Sequence, residues 1–168
     1  LQAEVDISLE EAFKGTQKKI TINNETIELK IKPGIRDGQE LKISQRGAVG
    51  RSGGARGDLL LKIHVKEHKN VKRDENDLYV EAEIDMFSAI LGGQSKINTF
   101  GGKLKLTIPE GSQPGKTLKL KGQGMPIYNE PDKRGDLYIT LKVKLPENLT
   151  NKEKQLLEEF RKLRKESK

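Results

Sequence analysis

Apolar and polar residues alternate in short runs along most of this chain, with Lys, Thr, Gln or Glu set between aliphatic side chains. Val5, Ile7 and Leu9 form one run and Ile20 and Ile22 another. Ile27, Leu29 and Ile31, then Leu41 and Ile43, then Leu59, Leu61, Ile63 and Val65 follow. A period of two predicts strands with one buried and one solvated face, because successive side chains of an extended chain point to opposite sides. Turn residues separate the runs: Asn23-Asn24, Lys32-Pro33-Gly34, Asp37-Gly38 and, later, Pro114-Gly115. Gly and Asn accept the positive φ of tight turns, and Pro presets its own φ.

Helical signals interrupt the alternation. Ser8-Leu9-Glu10-Glu11 has the form of a capping box, with the Ser8 side chain accepting from the amide of Glu11 and Gly15 suited to the left-handed residue that closes the turn. Asp85 and Gly92-Gly93 take the same places later in the chain. Beyond Pro146 the period lengthens. Thr150-Asn151-Lys152-Glu153 is another capping box, and Leu156, Leu157, Phe160 and Leu163 recur at helical spacing. A C-terminal helix with one apolar stripe must bury it, either on its own domain or on another subunit.

The alternating runs occur twice. "GDLLLKIHVKEH" (57–68) returns as "GDLYITLKVKLP" (135–146), and Ile7, Ala12, Gly15 and Ile20 match Ile84, Ala89, Gly92 and Ile97 in constant register. The register continues through Leu29 and Leu106, Gly34 and Gly111, Gly38 and Gly115, and Leu41 and Leu118, then slips by one residue. A duplicated unit of roughly 70 residues is too long for a solenoid repeat and suits a small domain. The expected fold is mainly β: two tandem small β-sandwich domains, each with a short helix, plus the C-terminal helix. Boundaries at 1–70, 71–146 and 147–168 follow from the repeat and the change of period.

Composition narrows the function classes. The 168 residues are 33% hydrophobic and 4% aromatic, material for two small cores rather than one large one. No apolar run approaches the roughly 18 residues of a membrane span, so a membrane is not an expected partner. The chain has no cysteine, which excludes disulfides, thiolate metal sites and cysteine nucleophiles and fits a reducing, cytoplasmic compartment. The opening Leu1 makes it read as part of a longer protein. A net charge of +7 favours acidic partners, nucleic acid included, but the last eight residues, RKLRKESK, carry five basic groups and one acid. Elsewhere Lys and Glu are interspersed as on a solvated face. Nucleic-acid binding is therefore the weaker alternative, separable by its steep salt dependence.

Several short motifs dissolve on inspection. "EGSQPGKT" (110–117) has three residues where a phosphate-binding loop needs four, and it continues as a strand rather than a helix. Arg56-Gly57-Asp58 and Arg134-Gly135-Asp136 stand at matched repeat positions and read as loop exits whose Asp satisfies local amides. His64 and His68, four residues apart on a strand, would lie about 13 Å from each other, which argues against a metal site. "RGAVGRSGGARG" (46–57) reads as a loop. No nucleophile with a neighbouring base and no isolated carboxylate pair is present, so neither catalysis, metal nor cofactor is expected.

The order of these features resembles one known family, the C-terminal substrate-binding region of the J-domain co-chaperones (DnaJ or Hsp40 proteins). The matching stretches are "VDISLEEAFKGTQKKITI", "IKPGIRDGQELKISQRG", "ARGDLLLKIHVKEHKNVKRDENDLYVEAEID", "AILGGQSKINTFGGKLKLTIPEGSQPGKTLKLKGQGMP", "KRGDLYITLKVKLP" and "LTNKEKQLLEEF". The resemblance implies a homodimer joined through the terminal helix by Leu156, Leu157, Phe160 and Leu163. It implies a protein that holds unfolded or partly folded clients and delivers them to an Hsp70 chaperone. Its peptide groove in the first domain would be lined by Val5, Ile20, Ile22 and Leu61, with Ala3 at the margin. Lys18 would stand near the mouth, where some members meet the acidic C-terminal tail of Hsp70. The residues alone leave a core reading of Ile20, Ile22 and Leu61 open. The J-domain is absent from these residues, and Asn23-Asn24-Glu25-Thr26 makes a direct turn where one class carries a zinc insert, which points to the zinc-finger-lacking, or type II, class.

Overall fold

The computed structural model describes residues 2–44 and 57–166. In the first half β1 (Gln2–Ile7), α1 (Leu9–Lys14), β2 (Thr16–Ile22), β3 (Glu25–Ile31), β4 (Glu40–Ile43) and β5 (Leu59–Val65) follow in order. The second half has β6 (Val71–Asp74), β7 (Asp77–Asp85), α2 (Met86–Leu91), β8 (Gly93–Thr99) and β9 (Gly102–Ile108). It continues with β10 (Thr117–Leu120), β11 (Pro126–Ile127), β12 (Glu130–Arg134) and β13 (Leu137–Lys144), and α3 (Asn151–Glu166) ends the chain. The architecture is mainly β, as the alternation predicts. Residues 46–56 of the glycine-rich loop, Arg56 of the first Arg-Gly-Asp among them, lie outside the described residues.

Local chemistry explains the element ends. Ser8 Oγ accepts from the Glu11 amide at 3.0 Å while Glu11 Oε1 accepts from the Ser8 amide at 3.0 Å, which completes the capping box. Leu9 therefore opens α1 rather than closing the first strand, because the cap turns the chain immediately after Ile7. Gly15 has φ 78° but ψ 159°: the positive φ is as expected, whereas the extended ψ leads straight into β2 instead of closing a left-handed cap. Asn23 and Asn24, at φ 51° and 64°, make a two-residue hairpin turn between β2 and β3. Thr150 and Glu153 cap α3 reciprocally at 2.8 and 3.1 Å.

The duplication is preserved in the hydrogen-bond registers. β1 runs parallel to β5 with Ala3 opposite Leu61, and β7 runs parallel to β13 with Val80 opposite Ile139, the same positions of the repeat. The Gly38 amide donates to the Ile63 carbonyl at 2.7 Å, and its counterpart Gly115 donates to Leu141 at 2.8 Å. The first half forms the sheet β1-β5-β4 and the hairpin β2-β3; the second forms β10-β13-β7-β6 with the hairpins β8-β9 and β11-β12. β6 has no equivalent among the described residues of the first half.

The buried side chains of both halves join in one cluster rather than two separate cores. Phe13 of α1 lies 5.6 Å from Phe100, ring to ring, and carries the Arg134 guanidinium at 4.9 Å. Arg73 of β6 donates to the carbonyls of Ile35 at 2.6 Å, Gly34 at 3.0 Å and Glu75 at 2.8 Å. Burial draws its pKa down from the usual guanidinium range, yet every donor that bonds a carbonyl favours the charged form. Gly34, at φ 91°, sits so close to β11 that any Cβ there would collide with the Pro126 carbonyl. No helix among the described residues is long and apolar enough to cross a membrane.

Candidate functional site

Two strands of the first half have one flank without a strand partner among the described residues. β1 is the outer strand of its sheet, and β2 pairs there with β3 alone. An outer strand offers N–H and C=O groups to another extended chain. On β1, half-buried Ala3 and Val5 alternate with exposed Gln2, Glu4 and Asp6; on β2, half-buried Lys18, Ile20 and Ile22 alternate with exposed Gln17, Lys19 and Thr21. Ala3, Val5, Ile20 and Ile22 all rest on the core while keeping part of their surface in water. Across the β2-β3 hairpin Ile20 stands opposite Ile27 and Lys18 opposite Leu29, and both partners are buried. The outer strand of each pair thus keeps an aliphatic strip accessible.

Leu61 does not line that strip. It is 0% exposed, in the middle strand of its sheet, with Ala3 on one side and Leu41 on the other. A side chain covered on both flanks and from below cannot touch a peptide, so Leu61 belongs to the floor. Alternation placed it on the inward face correctly, but depth depends on being central or peripheral in the sheet.

Lys18 is already engaged. Its Nζ lies 3.2 Å from Glu11 Oε2, which also accepts from Thr16 Oγ1 at 3.1 Å. The Ser8 amide, ahead of Lys18 and Thr16, holds the Glu11 carboxyl below its ordinary pKa against a weaker opposing effect of burial. One carboxylate therefore joins the cap of α1, β2 and the lysine at the end of the aliphatic strip. An incoming acidic group must compete with it.

The α3 stripe is open. Leu156, Leu157, Phe160 and Leu163 are 52%, 37%, 47% and 62% exposed, and no described residue of α3 is buried. The helix does not fold back to hide the stripe on its own domain.

The remaining motifs fall into structural roles. "EGSQPGKT" forms turns leading into β10. Asp136 Oδ1 accepts from the Gly122 amide at 2.9 Å, as a loop-exit aspartate should, and this bond holds its pKa low. His64 faces Glu4 at 3.2 Å and Asp37 at 3.8 Å, whereas His68 Nδ1 accepts from the amides of Asn70 and Val71. Among the described residues no three His, Asp or Glu side chains cluster to hold a metal. A cleft of about 620 Å³ lies at the junction of the halves and includes Leu9, Arg36, Val65, His68 and Arg73. Nothing in the alternation pattern marks Arg73, two of whose three carbonyl partners, Gly34 and Ile35, are distant in sequence.

Comparison with known proteins agrees with this geometry. A family model described as the DnaJ C terminal domain matches residues 1–146. Among curated proteins, the chain is 41% identical over 138 residues to a protein named chaperone protein DnaJ from Dictyoglomus thermophilum, covering 82% of this chain and 35% of that protein. It is 43% identical over 137 residues to the protein of that name from Clostridioides difficile (82% and 35%) and 40% over 140 residues to that from Sinorhizobium medicae (83% and 37%). The chain spans about a third of the length of these relatives.

Proposed function

The chain belongs to the DnaJ C-terminal domain family, and from that premise we propose that it captures extended segments of unfolded or partly folded client polypeptides and presents them to an Hsp70 chaperone. One observation carries the reading: partly accessible Ala3 and Val5 on β1, and Ile20 and Ile22 on β2, lie on strands whose outer edges have no strand partner among the described residues. Main-chain hydrogen bonds to such an edge are available to any sequence, and shallow aliphatic contacts select apolar side chains without fixing their order. The result is permissive capture without chemistry, the work of a binding module rather than an enzyme.

The client unit is residues 1–70, followed by a second domain at 71–146 and the terminal helix from 147. Through α3 the protein forms a homodimer, so two client sites act on one chain at high effective concentration. Lys18, released from Glu11, meets an acidic partner such as the Hsp70 tail. The direct Asn23-Asn24 hairpin and the lack of cysteine support the zinc-finger-lacking class. The setting is cytoplasmic.

The test is binding of a fluorescent, unfolded apolar peptide to the wild type and to Ile20→Asp. Because Ile20 is half exposed on an outer strand, the variant should retain its far-ultraviolet circular dichroism and lose at least tenfold in affinity. A folded variant that binds normally sinks the proposed site. Wild-type binding that falls by orders of magnitude between about 50 and 200 mM salt would instead indicate phosphate-like recognition.

A further inference from the structure

The hairpins β2-β3 and β8-β9 occupy the same place in the duplicated unit, yet their outward faces differ in charge. In the first, Lys19 stands opposite Glu28, Gln17 opposite Lys30 and Thr21 opposite Thr26. In the second, the same positions put Lys96 opposite Lys105, Gln94 opposite Thr107 and Asn98 opposite Lys103. All of these second-half side chains are exposed, and none is a carboxylate. Two exchanges make the difference: Lys103 stands where the first copy has Thr26, and Lys105 where it has Glu28.

This arrangement works against the fold. Like charges directly opposite on an antiparallel pair destabilise it, their Cβ atoms standing about 5 Å apart, and the first copy shows that the scaffold accepts a Glu at the facing position. The inward side chains Ile97, Leu104 and Leu106 pack on the core, so nothing in the packing calls for lysine on the other side. No ion pair among the described residues engages Lys96, Lys103 or Lys105. Lys103 and Lys105 are alternate residues of one strand, about 7 Å apart, which is also the spacing of alternate side chains in an extended chain laid along them. The face has no aromatic ring on which a base could stack and no arginine to fork a phosphate, so its chemistry suits carboxylates better than nucleic acid.

We propose that the outward face of β8-β9 binds acidic stretches of the client polypeptide, with Lys96, Lys103 and Lys105 meeting carboxylates at alternate positions of an extended segment. The inference rests on the client reading and adds a charge preference to it: the first half takes an apolar segment, and the second an acidic one of the same chain. Ammonium groups on flexible stems attract without fixing geometry, so the contact is as permissive as the aliphatic one. Lys18 must leave Glu11 to meet an acid, whereas these three are held by no described carboxylate.

The repeat supplies the control. Lys103→Thr with Lys105→Glu gives β9 the two residues that β3 carries at those positions, so the hairpin should fold, and relief of the facing charges should leave the thermal midpoint unchanged or higher. Two fluorescent probes share one unfolded apolar segment, extended in one by a run of glutamates and in the other by a run of glutamines. At about 50 mM salt the wild type should bind the glutamate probe at least about fivefold tighter, and the variant should lose that preference while binding the glutamine probe unchanged. Lys103→Gln with Lys105→Gln, which only removes charge, should show the same loss and separates lost attraction from the repulsion of a new Glu. A glutamate preference that persists in both folded variants puts the acidic contact elsewhere and overturns the proposal. Oligothymidine that binds the wild type as tightly as the glutamate probe, and not the variants, would make the face a nucleic-acid surface and also overturn it. A wild type that binds the glutamine probe without any glutamate preference sinks this inference alone, and one that binds neither probe sinks the client reading with it.

Discussion

The two halves descend from one pattern, yet β1 and β7 meet different neighbours. In the first half β1 ends its sheet, and the positions in register across it are Lys42, Leu60 and Gln2. In the second, β6 pairs with β7, and the equivalent row reads Lys119, Tyr138, Tyr79 and Lys72 across four strands. Tyr79 stacks on Tyr138 at 4.9 Å with ring planes 10° apart, and Lys119 lies 5.9 Å from the Tyr138 ring centre. The second copy thus covers one of its own edges and braces the outward face with a cross-strand stack. In the first, among the described residues, that edge has no such partner strand. The duplicated scaffold thus ends differently in its two copies: among the described residues the first leaves β1 as an outer strand, and the second pairs β7 with β6.

The largest break in this contrast should come from the floor. Leu61→Ala empties a fully buried site and should cost about 2–5 kcal/mol in urea unfolding, whereas Val5→Ala, half in water, should cost less than about 1.5 kcal/mol and act on peptide affinity instead. An unchanged urea midpoint for Leu61→Ala combined with lost peptide binding would return Leu61 to the groove. Arg73→Met comes next. It keeps the packed stem but strands the Gly34 and Ile35 carbonyls, a loss of about 1–3 kcal/mol that should loosen the two halves together. A change confined to the second half in hydrogen exchange would contradict the bridging role. Replacing Tyr79 by Gln, its first-half counterpart, should cost about 0.5–1 kcal/mol through loss of the stack. No change in thermal midpoint would show the stack to be ornamental.

The smallest effect is at Glu11. Its folded pKa is lowered, chiefly by the Ser8 amide, so its contribution to stability is present above the ordinary carboxylate range and lost as pH falls through the folded value. Asp136 behaves likewise through the Gly122 amide. Glu11→Gln keeps an acceptor for the cap, because Gln also completes a capping box, but removes the charge facing Lys18. The variant should show a flatter acid limb in a thermal titration. Its affinity for an acidic peptide should be about two- to fivefold tighter at low salt, the range of an exposed ion pair. Unaltered affinity with a flattened acid limb would detach Lys18 from peptide recognition.

Much of this molecule was legible one residue at a time. Strands, turns, caps and the repeat depend on local chemistry: side-chain alternation, the φ tolerance of Gly and Asn, and hydroxyls three residues ahead of carboxylates. The inward direction of Ile20, Ile22 and Leu61 was equally legible. What alternation could not rank was depth, and Leu61 and Ile20 share a pattern but not an environment. Depth and edge status come from neighbours supplied by distant segments. Among the described residues β5 is sealed between β1 and β4, β2 has one neighbour, and β7 is flanked by β6. Arg73 was hidden for the same reason, since long-range pairing, not local propensity, decides which groups lose their water.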